Sequence, residues 1–472
     1  MTLHGATTAC LVIAAAVALP ARAQEQPLVF AQPVYDAFEA PYFPTTLEPL
    51  DFDLDGNIDL VVPGRDPDGR LFTMRGLGNG RFTVAQTLVA DGFVDCVGVA
   101  DMDGDAREDI VAMWRGDLPR LVLYRAQASG FFEPVAEVLS PLARDPQGLA
   151  LADFDGDGDT DIAALAYVGA EAEVFLNGGT GAVTRVSRVQ MGRFIGGIAY
   201  PRVVRAGDVD GDGDADLVAV EVGGSRIAVM RNDGGRFARA VEYRGPQIGV
   251  ERPGMSSLVL ADIDGDRDLD AVCPALLLEA AQKIVAFVND GSGRFDERLV
   301  GEGPPLGYAF AVEVADFDGD GDADSAVGAA LPGLITVGRR TGPAFSFTLD
   351  GLLPFGQLVR DLRAIDVDGD CDLDIVGIDG PARAVFTCIN NTPQKGCGGG
   401  VAGARRAAMP AKPQDRAAEP ALRVPARGDF NGDGVRDAAD VAVWLAGLAK
   451  EIEATASQPS SEAAASVRKE PR

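Results

Sequence analysis

The sequence predicts an all-β fold: a seven-bladed β-propeller closed by an N-terminal strand, followed by a short C-terminal loop-helix on a flexible linker. Three observations predict it. A nine-residue acidic loop occurs seven times, as DFDLDGNID from Asp51, DMDGDARED from Asp101, DFDGDGDTD from Asp153, DVDGDGDAD from Asp208, DIDGDRDLD from Asp262, DFDGDGDAD from Asp316 and DVDGDCDLD from Asp366. The loops start 50, 52, 55, 54, 54 and 50 residues apart, the signature of one unit copied along the chain. Each copy carries about four short apolar, β-favouring segments, the content of a propeller blade.

Taken in chain order, residues 1–23 read as a signal peptide. An apolar run from Ala9 to Leu19 precedes Ala21-Arg22-Ala23, the small-x-small form of a cleavage site, so cleavage is expected after Ala23 and the protein at the cell surface, in a periplasm or secreted. The run is too short for a transmembrane anchor, and no second apolar stretch approaches about 20 residues. Residues 24–391 hold the repeats. In each, one strand runs into the loop (VGVAD, LALAD), a second leaves it (DLVVP, DIVAM), a third reads LVLYR or EVFLN, and a fourth follows a Gly-rich turn such as NDGSGRF.

The last unit stops after its third strand, RAVFTCINN, while a spare segment, LVFAQPVYDAF, precedes the first loop. That segment resembles RFTVAQTLVAD, the fourth strand of the first unit, so Leu28 to Ala37 is expected to form the outer strand of blade seven and cover an open edge. Residues 392–427, rich in Gly, Ala, Pro and Arg, read as a linker, 428–450 as the loop-helix, and 451–472 as a disordered tail.

Carboxylates at loop positions 1, 3, 5 and 9 crowd negative charge that a cation must offset. The all-oxygen set favours calcium, which accepts roughly 6 to 8 oxygens, over magnesium, which wants a tight octahedron. With position 7 offering its carbonyl, the candidate ligands are Asp51, Asp53, Asp55, Asn57 and Asp59; Asp101, Asp103, Asp105, Arg107 and Asp109; Asp153, Asp155, Asp157, Asp159 and Asp161; Asp208, Asp210, Asp212, Asp214 and Asp216; Asp262, Asp264, Asp266, Asp268 and Asp270; Asp316, Asp318, Asp320, Asp322 and Asp324; and Asp366, Asp368, Asp370, Asp372 and Asp374. These are not EF-hands: position 12 is Val62, Ala112, Ala164, Ala219, Cys273, Val327 or Gly377, and a strand follows. Position 6 is Gly56, Gly158, Gly213 or Gly321 in four loops but Ala106, Arg267 or Cys371 in three. If that position needs φ > 0, each departure costs on the order of 1 kcal/mol. Those three sites should be the weaker ones, and Asp101–Asp109, where Arg107 adds a positive charge, the weakest.

The formal charge of −29 is largely loop charge, since 33 of the 71 acidic residues stand at these positions. A negative surface argues against nucleic-acid binding. The single histidine, His4, lies in the signal segment, so the mature chain lacks Ser-His-Asp, Cys-His and histidine-metal chemistry. Two Trp and seven Tyr offer few platforms for stacking sugars. Loss of Cys10 leaves Cys96, Cys273, Cys371, Cys388 and Cys397, an odd number, with Cys388–Cys397 and Cys371–Cys388 both open as pairings. Arg-Gly-Asp occurs at Arg115–Asp117 and Arg427–Asp429, which chance explains in a chain so rich in these residues.

The seven DxDxDxxxD loops with GxGxF turns between them, over about residues 28 to 391, resemble FG-GAP (VCBS) repeats, the blades of the propeller in integrin α-subunits. The resemblance implies calcium at up to seven loops, through the side chains at positions 1, 3, 5 and 9 and the carbonyl at 7. Near the C-terminus Asp429, Asn431, Asp433, Val435, Asp437 and Asp440 form another such loop, with apolar Val441, Trp444, Leu445 and Leu448 at helical spacing after it. This segment resembles one half of a type I dockerin, which implies one further calcium and a cohesin-like or surface-attachment partner, although dockerins normally carry two such units. The expected function is a non-catalytic binding or adhesion module for an extracellular protein or glycan. The alternative is a calcium-dependent extracellular polysaccharide-degrading enzyme, or a component of such an assembly.

Overall fold

The computed structural model describes residues 28–392 apart from 39–43, 65–68, 91, 117, 143–144, 167–169, 192–200, 222–224, 247–253, 277–282, 303–307, 331–332, 342–345 and 355–357. The signal segment with His4 and Cys10, the linker with Cys397, the loop-helix from Asp429 to Asp440, the tail and Asp117 therefore lie outside the described residues. Among the described residues there is no helix, and so none long and apolar enough to cross a membrane.

A short strand, β1 (Val34–Ala37), precedes the blades. Blade one holds β2 (Glu48–Leu50), β3 (Asp59–Gly64), β4 (Arg70–Gly76) and β5 (Phe82–Val89); blade two β6 (Phe93–Ala100), β7 (Asp109–Arg115), β8 (Arg120–Tyr124) and β9 (Glu137–Pro141). Blade three holds β10 (Pro146–Ala152), β11 (Asp161–Ala166), β12 (Glu171–Asn177) and β13 (Val183–Gln190); blade four β14 (Pro201–Gly207), β15 (Asp216–Glu221), β16 (Arg226–Met230) and β17 (Val241–Arg244). In blade five the first strand is broken into β18 (Gly254–Met255) and β19 (Val259–Ala261), followed by β20 (Asp270–Leu276), β21 (Lys283–Asn289) and β22 (Phe295–Glu302). Blade six holds β23 (Tyr308–Ala315), β24 (Asp324–Ala330), β25 (Leu334–Thr341) and β26 (Ser346–Pro354), and blade seven β27 (Val359–Ile365), β28 (Asp374–Asp379) and β29 (Ala384–Cys388).

Neighbouring strands within each blade are antiparallel and follow chain order; blades five and six also touch at one parallel pair, Gly301 with Phe347. First strands pack on the first strands of adjacent blades, β10 on β14 and β23 on β27, and so stand around the ring axis. The second strand of a blade is flanked by strands at both edges and by blades on both faces. That is why β3, β11, β15 and β28 are buried throughout and read as continuous apolar runs. The outer strands β5 and β13 face solvent and are mostly exposed or half-buried.

Among the described residues the core is divided among seven clusters, one per seam between adjacent blades. Leu50, Val61 and Leu88 meet Val94 and Val122 across the first seam, and Leu60 and Phe72 of blade one meet Val376 and Val385 of blade seven across the last. That last seam closes the ring, and β1 completes it by pairing with β29 from Val34↔Thr387 to Ala37↔Ala384. The pairing continues upstream, where the Ala31 N–H donates to the Ile389 carbonyl at 2.7 Å and the Asn391 N–H to Val29 at 2.6 Å. The N-terminal segment is thus the outer strand of blade seven, as its resemblance to β5 predicts. Near the axis, Arg363 meets Glu48 at 2.9 Å and the Thr46 hydroxyl donates to Asp361 at 2.7 Å, joining blade seven to blade one. One sequence alternative is corrected: the buried Cys388 is a free thiol, so it makes no bridge to Cys371.

Candidate metal centres

Each acidic loop joins the first and second strands of its blade, and its ninth residue is the first residue of the second strand. Those ninth residues, Asp59, Asp109, Asp161, Asp216, Asp270, Asp324 and Asp374, are all buried. Oδ2 accepts the backbone N–H of position 2 at 2.8–3.2 Å in every loop. Oδ1 accepts an N–H at the end of the third strand, from Gly76, Ala126, Asn177, Asn232, Asn289, Arg340 or Asn390, at 2.7–3.1 Å. Position 9 therefore pegs the loop to the blade.

The rest of the loop winds around position 1, whose Oδ2 accepts the N–H of position 6 at 2.8–3.2 Å. Position 5 accepts the N–H of position 7 at 2.8–3.1 Å. This winding requires left-handed backbone at position 6, including Ala106 (φ 66°), Arg267 (φ 80°) and Cys371 (φ 80°), as the sequence suggested. It requires it at position 4 as well, where Leu54 (φ 56°) stands and the other six loops have Gly. That second requirement escaped the sequence reading, although the glycine recurring at position 4 was its signal.

The winding gathers carboxylates. Oxygens of positions 1, 3 and 9 lie within 4.8 Å of one another in the loops starting at Asp51, Asp101, Asp153 and Asp262, and those of Asp208, Asp210 and Asp212 do so in the fourth. Burial, and then the charge of neighbouring aspartates working against backbone N–H donors, pushes the ninth residues up: Asp109, Asp161 and Asp216 to about 6, Asp270 and Asp374 to about 7, Asp59 and Asp324 to about 8. Asp155, Asp210, Asp264 and Asp368 at position 3 are raised for the same first reason.

A calcium ion fits this arrangement on an observation independent of charge. Oδ1 of position 3 is buried without a hydrogen-bond partner in four loops, at Asp103, Asp155, Asp210 and Asp368, and Asp372 Oδ1 is likewise buried and unpartnered. A buried carboxylate oxygen without a donor is costly, and a hard cation bound there would satisfy it. The residues at positions 1, 3, 5 and 9, with the position 7 carbonyl, would hold the ion, whose chemistry there is to neutralise the loop and fix its winding.

The loops also sit at the seams. Asn177 Nδ2 donates to the Met102 carbonyl of the preceding blade's loop at 2.9 Å and to Thr160 of its own loop at 3.2 Å. Asn232 does the same to Phe154 (2.7 Å) and Ala215 (3.1 Å), Asn289 to Val209 (2.7 Å) and Leu269 (3.2 Å), and Asn390 to Phe317 (2.8 Å) and Leu373 (3.1 Å). The turn that follows the third strand packs on the preceding loop too: a Cβ at Gly130 would stand 2.8 Å from Asp53 Cβ, which only glycine avoids. The sequence reading missed these asparagines, whose signal was their return at the end of the third strand in four units.

The family described as "FG-GAP-like repeat" matches residues 51–112, 113–164 and 208–273. Among solved structures, the chain is similar to BBS1N in its complex with ARL6DN, at 12% identity and a TM-score of 0.53, covering 79% of this chain and 99% of that one. It is similar to the WD40 repeats of RRP9 (12% identity, TM-score 0.51, covering 77% and 100%) and to U3-55K (12%, 0.50, covering 76% and 98%). At these identities the likeness is one of fold. No curated protein matches the chain. The chain is a seven-bladed propeller built of repeats, three stretches of which match the FG-GAP-like repeat.

Proposed function

We propose that this propeller is an exported, calcium-stabilised, non-catalytic module that binds a protein partner. The observation carrying the calcium part is the set of buried position 3 oxygens left without donors inside converging carboxylates. Export rests on the N-terminal segment read as a signal peptide, and millimolar extracellular calcium suits sites of modest affinity. The binding part is supported by the fold, whose loops form broad end faces on a rigid ring, and by BBS1N, a propeller of similar fold seen in complex with ARL6DN. The loop from Asp429 to Asp440 is assigned an eighth ion and an attachment role. The test has two arms. A chelator should lower the melting temperature of the full chain by many degrees, calcium restoring it and magnesium restoring it poorly; an unchanged melting curve refutes the calcium assignment. The immobilised chain should then retain a protein from an extracellular fraction with calcium and release it on chelation, whereas turnover of a polysaccharide panel would replace the binding module with the enzyme.

A further inference from the structure

We infer that an arginine at one fixed register position acts as a tethered counter-cation in four blades, dividing the seven loops into a calcium-sparing and a calcium-dependent class. The inference rests on the calcium reading above and concerns what distinguishes one loop from another. The register position is the residue just before the one whose N–H caps the ninth aspartate. It is Arg75, Arg125, Arg231 and Arg339 in blades one, two, four and six, and Leu176, Val288 and Ile389 in blades three, five and seven.

All four arginines reach position 3 of their own loop. Arg75 Nε lies 2.6 Å from Asp53, Arg125 Nη1 2.5 Å from Asp103, Arg231 Nη1 3.6 Å from Asp210 and Arg339 Nε 3.3 Å from Asp318, each on Oδ2. In Asp103 and Asp210 this leaves Oδ1 as the buried oxygen without a partner. The arginine therefore does not occupy the ion's place; it supplies a positive charge on the far oxygen. That charge does part of the ion's work when the ion is gone and repels the ion when it is present.

Two loops make the comparison clean. DFDGDGDTD and DVDGDGDAD in blades three and four share every proposed ligand, both glycines and an asparagine cap, so Leu176 against Arg231 is the main difference in charge, whereas blade six adds Arg340, 2.9 Å from Asp322, and Asp350, 3.1 Å from Arg339. Blade two stands at the opposite extreme from blade three. It adds Arg107, 2.7 Å from Asp105, and the left-handed Ala106 to the pull of Arg125. Blade three should hold calcium most tightly and blade two least.

Calorimetric titration of calcium into the chelator-stripped full chain tests this. The parent should show inequivalent sites, blade three in the tighter class and blade two in the weaker, with blades five and seven drawn toward the weaker one by the left-handed Arg267 and Cys371. Arg75→Gln and Arg231→Gln, both at half-exposed side chains, should each move one site into the tighter class with a gain of about tenfold or more, and each should lower the melting temperature in chelator while enlarging the rise on adding calcium. Leu176→Arg should move one site the other way; should that variant not fold by circular dichroism, the two glutamine variants decide. Equivalent sites in the parent, or isotherms unchanged in both glutamine variants, overturn the inference while leaving calcium binding intact. Absence of any calcium uptake by the parent overturns the calcium reading itself.

Discussion

Phe30 and Phe317 meet edge to face, their ring centroids 5.6 Å apart and their planes at 79°. Phe317 is position 2 of the sixth acidic loop, and in other seams the same place is covered by a turn residue of the next blade, Phe132 on Phe52 at 6.1 Å and Phe237 on Phe154 at 5.3 Å. Blade seven takes its fourth strand from the N-terminal segment, so Phe30 replaces the turn aromatic there. A second contact locks the following seam: Asp36 on β1 accepts Arg81 Nε at 2.8 Å and the Phe82 N–H at 2.8 Å from blade one.

Phe30→Ala should therefore destabilise the ring by about 2–3 kcal/mol, less than a fully buried phenylalanine because the ring is half-buried. Deleting Leu28 to Ala37 should give aggregated or protease-sensitive protein, and truncation after Ala402 should leave the melting temperature nearly unchanged. A stable, protease-resistant ring lacking residues 28–37 would sink the closure argument.

Asn232→Ala should cost about 2–3 kcal/mol in denaturant unfolding, because it strands the buried Phe154 and Ala215 carbonyls and removes the acceptor of the Gly235 N–H. A loss under about 0.5 kcal/mol, within the usual range for a surface change, would show that the asparagine does not latch the seam.

Ala106→Gly and Leu54→Gly should each stabilise by about 0.5–1 kcal/mol, since both residues hold left-handed backbone that glycine adopts without a Cβ penalty. Ala106→Gly should also tighten calcium at Asp101–Asp109. Gly158→Ala, at φ 95°, is the control and should destabilise; weaker calcium binding in Ala106→Gly would contradict the strain argument.

Asp379, buried at the end of β28, is pushed up to about 6 by burial, against the N–H groups of Ala382 and Leu358 that favour its ionised form. A raised carboxyl favours folding while protonated: that contribution is full below about 4 and is lost as pH rises through about 6. At constant saturating calcium, Asp379→Asn should exceed the parent by up to about 3 kcal/mol at pH 7, with the gap closing toward pH 4. Equal melting temperatures at both pH values would exclude the titration of this residue as a stability term.

The sequence by itself determined the seven-bladed all-β ring, the place of each acidic loop before a strand, the left-handed turn at position 6 and the N-terminal strand of blade seven. Each is written in a local pattern repeated at a period near 50, such as VFAQPV echoing FTVAQTLV, so neighbouring residues suffice to read it. Only the tertiary structure decided that Asn177 and Asn232 reach back into the preceding blade, that Arg75 and Arg125 neutralise Asp53 and Asp103, that Leu54 sits in left-handed backbone, and that Cys371 and Cys388 are not bridged to each other. The asparagine contacts join residues 75 and 78 positions apart, and the arginine contacts join the end of a third strand to the loop that precedes the second. Both depend on how the strands register and how twisted blades face one another, and no local spacing in the chain encodes that.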